Sequence, residues 1–175
     1  SHIGWGTANY CIMFALDYVE LIGIVDPSQF SNNLDRFLAK REGLMGLAWA
    51  TGDSDAVKRS LDRSGIAAEG PRDLKRRLEL PEGTVLPAFK LIYFSDNATP
   101  HLASFICQHL TPELLRRPEW LRHPNGATAL AGVTVVVAKD ANPDEAYARL
   151  LGPGAIVRTD TTLAVRVGAH LILLT

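Results

Sequence analysis

The sequence predicts an α+β fold made of repeated strand–helix–three-strand modules, written βαβββ below, because an internal repeat is visible. Residues 46–53 (GLAWATGD) are an apolar run that ends on an aspartate, and residues 132–140 (GVTVVVAKD) are another. A helical pattern follows each run and stops at a glycine. The aspartate and the glycine are equally far apart in the two copies, Asp53 to Gly65 and Asp140 to Gly152.

The first helix of the repeat begins beside Asp53. Either Asp53 or Ser54 is suited to cap its start, since a short polar side chain accepts a hydrogen bond from the unpaired N–H groups of the first turn. Ala56, Val57 and Leu61 fall on one helical face. This pattern is typical of a helix that packs one side against a core.

The second helix has the same signals in different residues. Asn142 is the expected N-cap, and Pro143 fits the first helical position because its missing N–H is not needed there. Asp144 and Glu145 place negative charge in the first turn, where the helix dipole favours it. We therefore expect a helix that ends at Gly152.

Three strand candidates follow each helix, which completes two modules. They read PRDLKRRLEL, PAFKLIYF and LASFICQHL in the first copy, and AIVRT, TLAVRVG and HLILLT in the second. Two adjacent strands at the start of the chain, ANYCIMFA and DYVELIGIV, are interpreted as the last two strands of a third copy. A full third module would need roughly 30 more residues upstream, so a longer intact protein is expected.

The repeat divides the chain into four expected segments. Pro27 opens a predicted spacer helix that ends before Gly43, and Thr111-Pro112-Glu113 opens a second one. The segments are residues 1–42 (two strands and a spacer helix), 43–110 (a complete module), 111–127 (a spacer helix and a turn) and 128–175 (a complete module).

Composition predicts a cytoplasmic globular protein. Of the 175 residues, 47% are hydrophobic and 21% charged, which is enough for a core and ordinary for a surface. The net charge of −1 favours neither nucleic acid nor an anionic membrane as a partner. No apolar run approaches the roughly 18–20 residues that span a bilayer. Cys11 and Cys107 each lie in an apolar strand, which indicates buried, reduced thiols.

Four short motifs give the chain a recognisable family character: HIGWGTANY, DYVELIGI, SFICQHL and HPNGA. They resemble motifs of glyoxalase-like domain proteins in the vicinal oxygen chelate superfamily. The resemblance implies curved, mostly antiparallel sheets that form a cup. In that superfamily the cup usually holds a divalent metal bound by His and Glu. The cofactor expected here is therefore Zn, Ni, Mn or Fe, or none if the ligands have been lost.

The same resemblance implies two alternative functions. One is an enzyme of the lyase, isomerase or dioxygenase type, acting on a small oxygenated metabolite in the cup. The other is a binding protein without chemistry that sequesters a small molecule, with Trp5, Tyr10, Trp49 and Phe105 lining the pocket. A homodimer formed by strand pairing is a further expectation.

Glu20 is the sharpest single candidate. The resemblance places the family's carboxylate at this position, as a metal ligand or a catalytic base. Strand alternation puts Glu20 on one face with Tyr18 and Ile22, and puts Val19 and Leu21 on the other. A carboxylate on a mostly apolar strand needs a cation, a metal or a hydrogen-bond donor. An ion pair with an arginine is the alternative interpretation.

Other candidates surround this carboxylate in the expected cup. His109 and His123 are possible catalytic groups, although His109 could cap a turn and His123 could lie exposed in the HPNG turn. Strand alternation lets only one of Gln108 and His109 face a cavity, and the motif favours Gln108 as a substrate contact. Further substrate contacts are proposed at Trp5, Asn9 and Arg76. The alternatives are a structural hairpin entry for Trp5 and Asn9, and a solvated strand face for Arg76.

Overall fold

The computed structural model describes residues 2–138 and 142–175, so Asp140, which closes the second apolar run, lies outside the described residues. Three α-helices are present in this part of the chain: α1 (Leu34–Leu38), α2 (Ser54–Arg63) and α3 (Asp144–Leu151). No helix in the described ranges has the length and apolar character that crossing a membrane requires.

Twelve strands accompany these helices in the same ranges. They are β1 (Thr7–Met13), β2 (Tyr18–Ile24), β3 (Leu47–Ala50), β4 (Ala68–Lys75), β5 (Leu78–Leu80), β6 (Gly83–Val85), β7 (Ala88–Phe94), β8 (Ser104–His109), β9 (Gly132–Val135), β10 (Ile156–Arg158), β11 (Leu163–Val167) and β12 (His170–Leu174).

The two complete modules share one sheet topology, which confirms the repeat and the α+β class. The strand order is β3-β8-β7-β4 in one sheet and β9-β12-β11-β10 in the other. In each, the first strand of the module lies parallel to the last, which is possible because a helix and at least two strands intervene along the chain. β10 and β11 are antiparallel neighbours, as are β11 and β12, so this sheet is mixed.

A glycine opens the first strand of each complete module for the same steric reason. A Cβ atom on Gly46 would lie 2.5 Å from the carbonyl oxygen of Ala103, and one on Gly132 would lie 2.2 Å from that of Leu171. Both carbonyls belong to the chain leading into or forming the last strand. The close approach of first and last strands therefore excludes any side chain at these two positions.

The strands at the start of the chain form an antiparallel hairpin. β1 pairs with β2 from Thr7 opposite Ile24 to Met13 opposite Tyr18. The antiparallel pair β11–β12 occupies the corresponding place in a complete module. The hairpin thus has the same antiparallel pairing, and its assignment to a truncated third module stays a prediction.

The chain divides into two compact units. Unit 1 contains residues 1–45, 73–89 and 109–130, and unit 2 contains residues 46–72, 90–108 and 131–175. The chain passes from one unit to the other within β4, β7 and β8. The segments expected from the sequence are defined by the repeat, whereas the two units are defined by contacts between residues. The four expected segments stay a prediction.

Unit 2 has a continuous apolar core to which both complete modules contribute. Its buried members are Trp49, Leu61, Ile66, Ile92, Leu102, Ile106, Tyr147, Leu163, Val165, Ile172 and Leu174. Arg149 of α3 donates from Nη2 to the carbonyl oxygens of Ser64 and Gly65, at 3.2 and 2.8 Å. This places a positive charge at the carboxyl end of α2, where the helix dipole favours it.

Unit 1 has a smaller core, which contains Met13, Phe14, Leu34, Phe89 and Leu115. The Arg116 guanidinium donates to the carbonyl oxygens of Phe14 and Leu16, at 2.8 and 3.0 Å, and so fixes the turn between β1 and β2.

The predicted spacer helices are wrong in length. The first is reduced to the five residues of α1, since Asn32 and Asn33 before it have φ angles of 53° and 65°, which no right-handed helix contains. The second is replaced by two 3-10 turns, Pro112–Leu114 and Pro118–Trp120.

Two local predictions from the complete modules also need correction. The N-cap of α3 is Pro143 and not Asn142, because the carbonyl oxygen of Pro143 already accepts from the Tyr147 N–H at 3.2 Å. The predicted strand PRDLKRRLEL is broken: β4 ends at Lys75 and β5 begins at Leu78. Arg76 between them donates its N–H to Pro87 and forms a bridge with His2.

Candidate functional site

Five polar residues of unit 1 form the group that we call the Glu20 cluster: His2, Asn9, Cys11, Glu20 and Arg76. The register of the β1–β2 hairpin brings three of them together, because Cys11 lies directly opposite Glu20 and Asn9 shares their face of the strand pair. The bridge between His2 and Arg76 adds the other two. Four separate stretches of sequence thus meet at one place.

The Glu20 carboxylate is held by hydrogen bonding while remaining accessible. Asn9 donates from Nδ2 to Oε1 of Glu20 at 2.5 Å, and the same amide lies 3.5 Å from the Cys11 sulfur. The Glu20 side chain keeps 30% of its surface exposed. A hydrogen-bond donor, one of the partners that a carboxylate on this strand needs, is therefore supplied by Asn9.

His2 is the ring nearest to this carboxylate. Its Nε2 lies 4.0 Å from Glu20 Oε1, and its Nδ1 is 2.8 Å from the hydroxyl of the buried Thr7. Burial and then the positive charge of Arg76 lower the pKa of His2 to about 4. At neutral pH the ring is consequently uncharged, and the contact with Glu20 is not an ion pair.

Arg76 supplies the permanent positive charge of the cluster. Both Nη atoms lie 3.8 Å from the Cys11 sulfur, and the guanidinium carbon lies 5.3 Å from the centre of the Phe89 ring. Burial raises the pKa of the Cys11 thiol, so the sulfur is a neutral and weak acceptor at neutral pH. The solvated strand face considered for Arg76 does not describe this half-buried side chain.

His109 packs beside the cluster through aromatic contacts. Its ring is 4.9 Å from Phe89, edge to face, and 5.8 Å from Tyr18. Burial, followed by the charges of Arg116 and Arg76, lowers the pKa of His109 to about 4. Its Nδ1 is buried without a hydrogen-bond partner in the described part of the chain. His109 is therefore an uncharged ring that ends β8, and its proposed catalytic role stays a prediction.

The remaining predicted residues of unit 1 have structural contacts. The Trp5 ring lies 5.7 Å from His2 and 5.1 Å from Phe30, so it adjoins the cluster. His123 binds the carbonyl oxygen of Met13 through Nε2 at 2.8 Å, and its ring packs on Phe14. It is thus neither exposed nor in contact with Glu20, and a catalytic role for it stays a prediction.

Gln108 lies in unit 2 and holds the start of α2. Its Oε1 accepts from the N–H and the hydroxyl of Ser54, at 3.0 and 2.8 Å, and its Nε2 donates to the carbonyl of Gly52 at 2.8 Å. These three bonds occupy both ends of the amide. Its proposed contact with substrate stays a prediction.

The aromatic residues considered for a binding pocket are divided between the two units, and the pocket stays a prediction. Trp5 and Tyr10 belong to unit 1, whereas Trp49 and Phe105 belong to unit 2. Tyr10 also lies on the face of β1 opposite to Asn9 and Cys11, where 83% of it is exposed.

Two members of the site went unrecognised from the sequence. The sequence predicts Cys11 only as a buried thiol, whereas the pairing of β1 with β2 places it opposite Glu20. His2 was not proposed as a site residue because its partner Arg76 is far away in sequence. No local pattern signals that contact.

A metal site was tested against these residues. Among residues 2–138 and 142–175, no three His, Cys, Asp or Glu side chains come together as a metal-binding group. His2 lies near Glu20 and Cys11 lies opposite it on the hairpin, but the guanidinium of Arg76 beside them opposes a second cation. The described residues therefore do not supply the four ligands of a typical metal site.

Comparisons with known proteins identify the family. The glyoxalase-like domain family matches residues 1–151, which is most of the chain. The chain belongs to this family. A search of curated proteins found no match to it. Among solved structures, this glyoxalase-like chain is similar to a hypothetical protein from Staphylococcus aureus, with a TM-score of 0.77 and 14% identity over 99% of this chain and 73% of that one. At that identity the likeness shows the fold alone.

Proposed function

We propose that the Glu20 cluster is the active site of a proton-transfer enzyme, of the lyase or isomerase type, that acts on a small oxygenated metabolite. The observation that supports this most is the pairing of a positioned carboxylate with a neutral histidine. Asn9 holds one oxygen of Glu20, and His2 lies 4.0 Å from the same oxygen. A general base and a hydrogen-bond donor at one place are the groups that enolisation requires.

Glu20 acts as the base in this proposal. The Asn9 amide fixes Oε1, which leaves the second carboxylate oxygen to take a proton from a carbon next to a carbonyl group. The exposed part of the side chain gives a substrate access to it. Positioning of this kind, together with the proton transfer itself, typically contributes a factor of about 10²–10⁴ to the rate.

His2 acts as the donor to the developing enolate oxygen. Nδ1 of His2 lies 2.8 Å from the Thr7 hydroxyl, and in this proposal the hydroxyl is the donor, so that the ring proton is on Nε2, the nitrogen that faces Glu20. Because the ring is uncharged at neutral pH, it donates a hydrogen bond without giving up a proton to the base beside it. A neutral imidazole can polarise a carbonyl in this way.

Proton–deuterium exchange tests the proposal without requiring knowledge of the complete reaction. The protein is incubated in D₂O with hydroxyacetone, dihydroxyacetone or pyruvate, and the loss of the proton signal next to the carbonyl is followed by NMR. We expect exchange above the buffer rate, and Glu20→Gln should lower the enzymatic rate by about 100-fold or more.

Glu79→Gln is the matched control, since this exposed carboxylate of unit 1 accepts from the Thr84 hydroxyl and lies on the separate β5–β6 hairpin. It should leave the exchange rate unchanged. If the intact protein binds these compounds but accelerates no exchange, or if Glu20→Gln is as active as the parent, the proton-transfer function is wrong. Binding without exchange would support the sequestering function instead.

A further inference from the structure

We infer that Arg76 binds the carboxylate of the substrate, and that the substrates are therefore small 2-oxo acids. This inference rests on the proposed function, because it adds a substrate class to the same cluster. It depends on how differently the arginines of unit 1 are paired.

Arg116 and Arg117 have partners that match their hydrogen-bond donors. Arg116 donates to two backbone carbonyls, and Arg117 forms ion pairs with Glu82 and Glu119. Arg76 has no carboxylate within ion-pair distance anywhere in the described ranges. A half-buried guanidinium without a negative partner is costly, so its charge is most simply explained by a ligand.

The side chain of Arg76 is also positioned in advance. Its backbone N–H donates to the Pro87 carbonyl at 3.1 Å, and its backbone bridges to His2. The guanidinium lies over the Phe89 ring and directs both Nη atoms to the same side, towards the Cys11 sulfur. Two parallel N–H donors match the two oxygens of a carboxylate, and such a pair is stronger than a bond to a thiol.

The order of groups around Cys11 defines the rest of the substrate. Arg76 touches Cys11, and Glu20 lies directly across the hairpin from Cys11. A molecule whose carboxylate rests on Arg76 therefore extends towards Glu20 and His2. A 2-oxo acid has the required sequence of groups: a carboxylate, a carbonyl for His2 and a carbon with an acidic proton for Glu20.

The chemical step balances without any further reactant. The C3–H bond breaks and its proton moves to the Glu20 carboxylate. The bonding pair forms the C2–C3 double bond, and the carbonyl pair moves to the C2 oxygen, which accepts the hydrogen bond from His2. Return of the proton to C3 restores the ketone.

Matched charged and neutral ligands test the inference. Binding of pyruvate and of pyruvamide, which differ in the charge of one group, is measured by calorimetry on the intact chain. We expect pyruvate to bind at least about tenfold more tightly, the difference that one charge-assisted pair contributes. Arg76→Gln should reduce that preference to less than about twofold, while Arg76→Lys should keep part of it.

Arg77→Gln is the control, because Arg77 is the residue next to Arg76 and carries the same charge on an exposed side chain. It should leave the preference unchanged. Equal binding of the two ligands by the parent protein, no binding of pyruvate at all, or an equal loss in Arg77→Gln would overturn the inference. Glu20-dependent exchange on neutral hydroxyacetone, with no role for Arg76, would overturn the inference while leaving the proposed function intact. Arg76-dependent pyruvate binding without exchange would overturn the proposed function while leaving the binding role of Arg76 intact.

Discussion

The last two strands pair with each other both in the β1–β2 hairpin and in the complete modules, but their neighbours in the sheet differ. In unit 2 the last strands β8 and β12 are paired on both edges, because the first strands β3 and β9 lie beside them. In the described residues β2 is paired with β1 alone. In the described part of the chain, β2 therefore has a strand on one edge, whereas β8 and β12 have one on each edge.

The side chains follow this difference. Ile172 and Leu174 of β12 are buried in an apolar core, so no charged group could be accommodated there without a partner. Glu20 on β2 instead keeps 30% of its side chain exposed and accepts a hydrogen bond from Asn9. Comparison of the two regions teaches that, in the described residues, a two-stranded hairpin holds the polar Glu20 cluster whereas the four-stranded sheets contribute to an apolar core.

The largest expected effect tests this comparison at one leucine in each region. Leu174 in the last strand β12 is 1% exposed, whereas Leu21 in β2 is 58% exposed. Leu174→Ala should lower the free energy of unfolding by about 2–5 kcal/mol, because it removes buried methyl groups and leaves a cavity. Leu21→Ala should change it by less than about 0.5 kcal/mol. Urea denaturation measures both, and similar losses would show that β2 is covered in solution.

A smaller effect is expected at Gln108, where the structure suggests support for α2 rather than substrate contact. Gln108→Ala leaves the N–H and hydroxyl of Ser54 and the carbonyl of Gly52 without their partner, so a loss of about 2 kcal/mol is expected. Gln29→Ala, which removes one exposed bond to Asp26, should cost less than about 0.5 kcal/mol. A weakened ligand affinity in Gln108→Ala with unchanged stability would restore its predicted binding role.

The two regions also differ in how far sequence patterns could predict them. The complete modules are governed by local signals: Asp53 before α2, glycine at each first strand and the alternating strands of residues 156–174. These signals need no knowledge of distant residues, so the repeat and the fold class were correct. The spacer helix failed because the left-handed Asn32 and Asn33 are set by the tertiary turn that follows β2, not by helical periodicity.

The site was only partly predictable for the same reason. Glu20, Asn9 and Arg76 were recognised as candidates, and the structure brings them into one cluster. Their partners His2 and Cys11 are not among the residues that the sequence predicts for the site. His2 reaches the cluster through a bridge to Arg76, which is far away in sequence, and Cys11 through the pairing of β1 with β2. Gln108 and His109 are adjacent in sequence, yet strand alternation sends one to α2 and the other to Phe89.

Acid should destabilise unit 1 through its buried histidines. The pKa values of His2 and His109 are lowered from 6.5 to about 4 in the folded chain. Between these values the unfolded chain binds protons that the folded chain does not, so stability is full above pH 6.5 and falls as the pH decreases towards 4. Each histidine contributes a slope of at most about 1.4 kcal/mol per pH unit.

Removal of one histidine tests that slope. His109→Leu should reduce the pH dependence of the unfolding free energy between pH 6.5 and 4.5 by the share of a single proton, and should leave no difference in slope near pH 8. It also removes a buried Nδ1 that has no partner in the described residues, so stability near pH 8 should not fall by more than about 1 kcal/mol. An unchanged slope between pH 6.5 and 4.5 would mean that His109 is not held neutral.

The smallest effect compares the starts of the two module helices. Asp53 accepts from the Ala56 N–H at 2.8 Å, whereas the start of α3 at Pro143 has no side-chain cap. Asp53→Ala should therefore cost about 1 kcal/mol, the usual loss for a capping side chain. Asn142→Ala should cost less than about 0.3 kcal/mol, because the structure gives Asn142 no capping bond to lose. Thermal or urea denaturation of the two variants measures the difference. Equal losses would mean that Asn142 caps α3 in solution, as the sequence alone predicts, and the two helices would then begin alike.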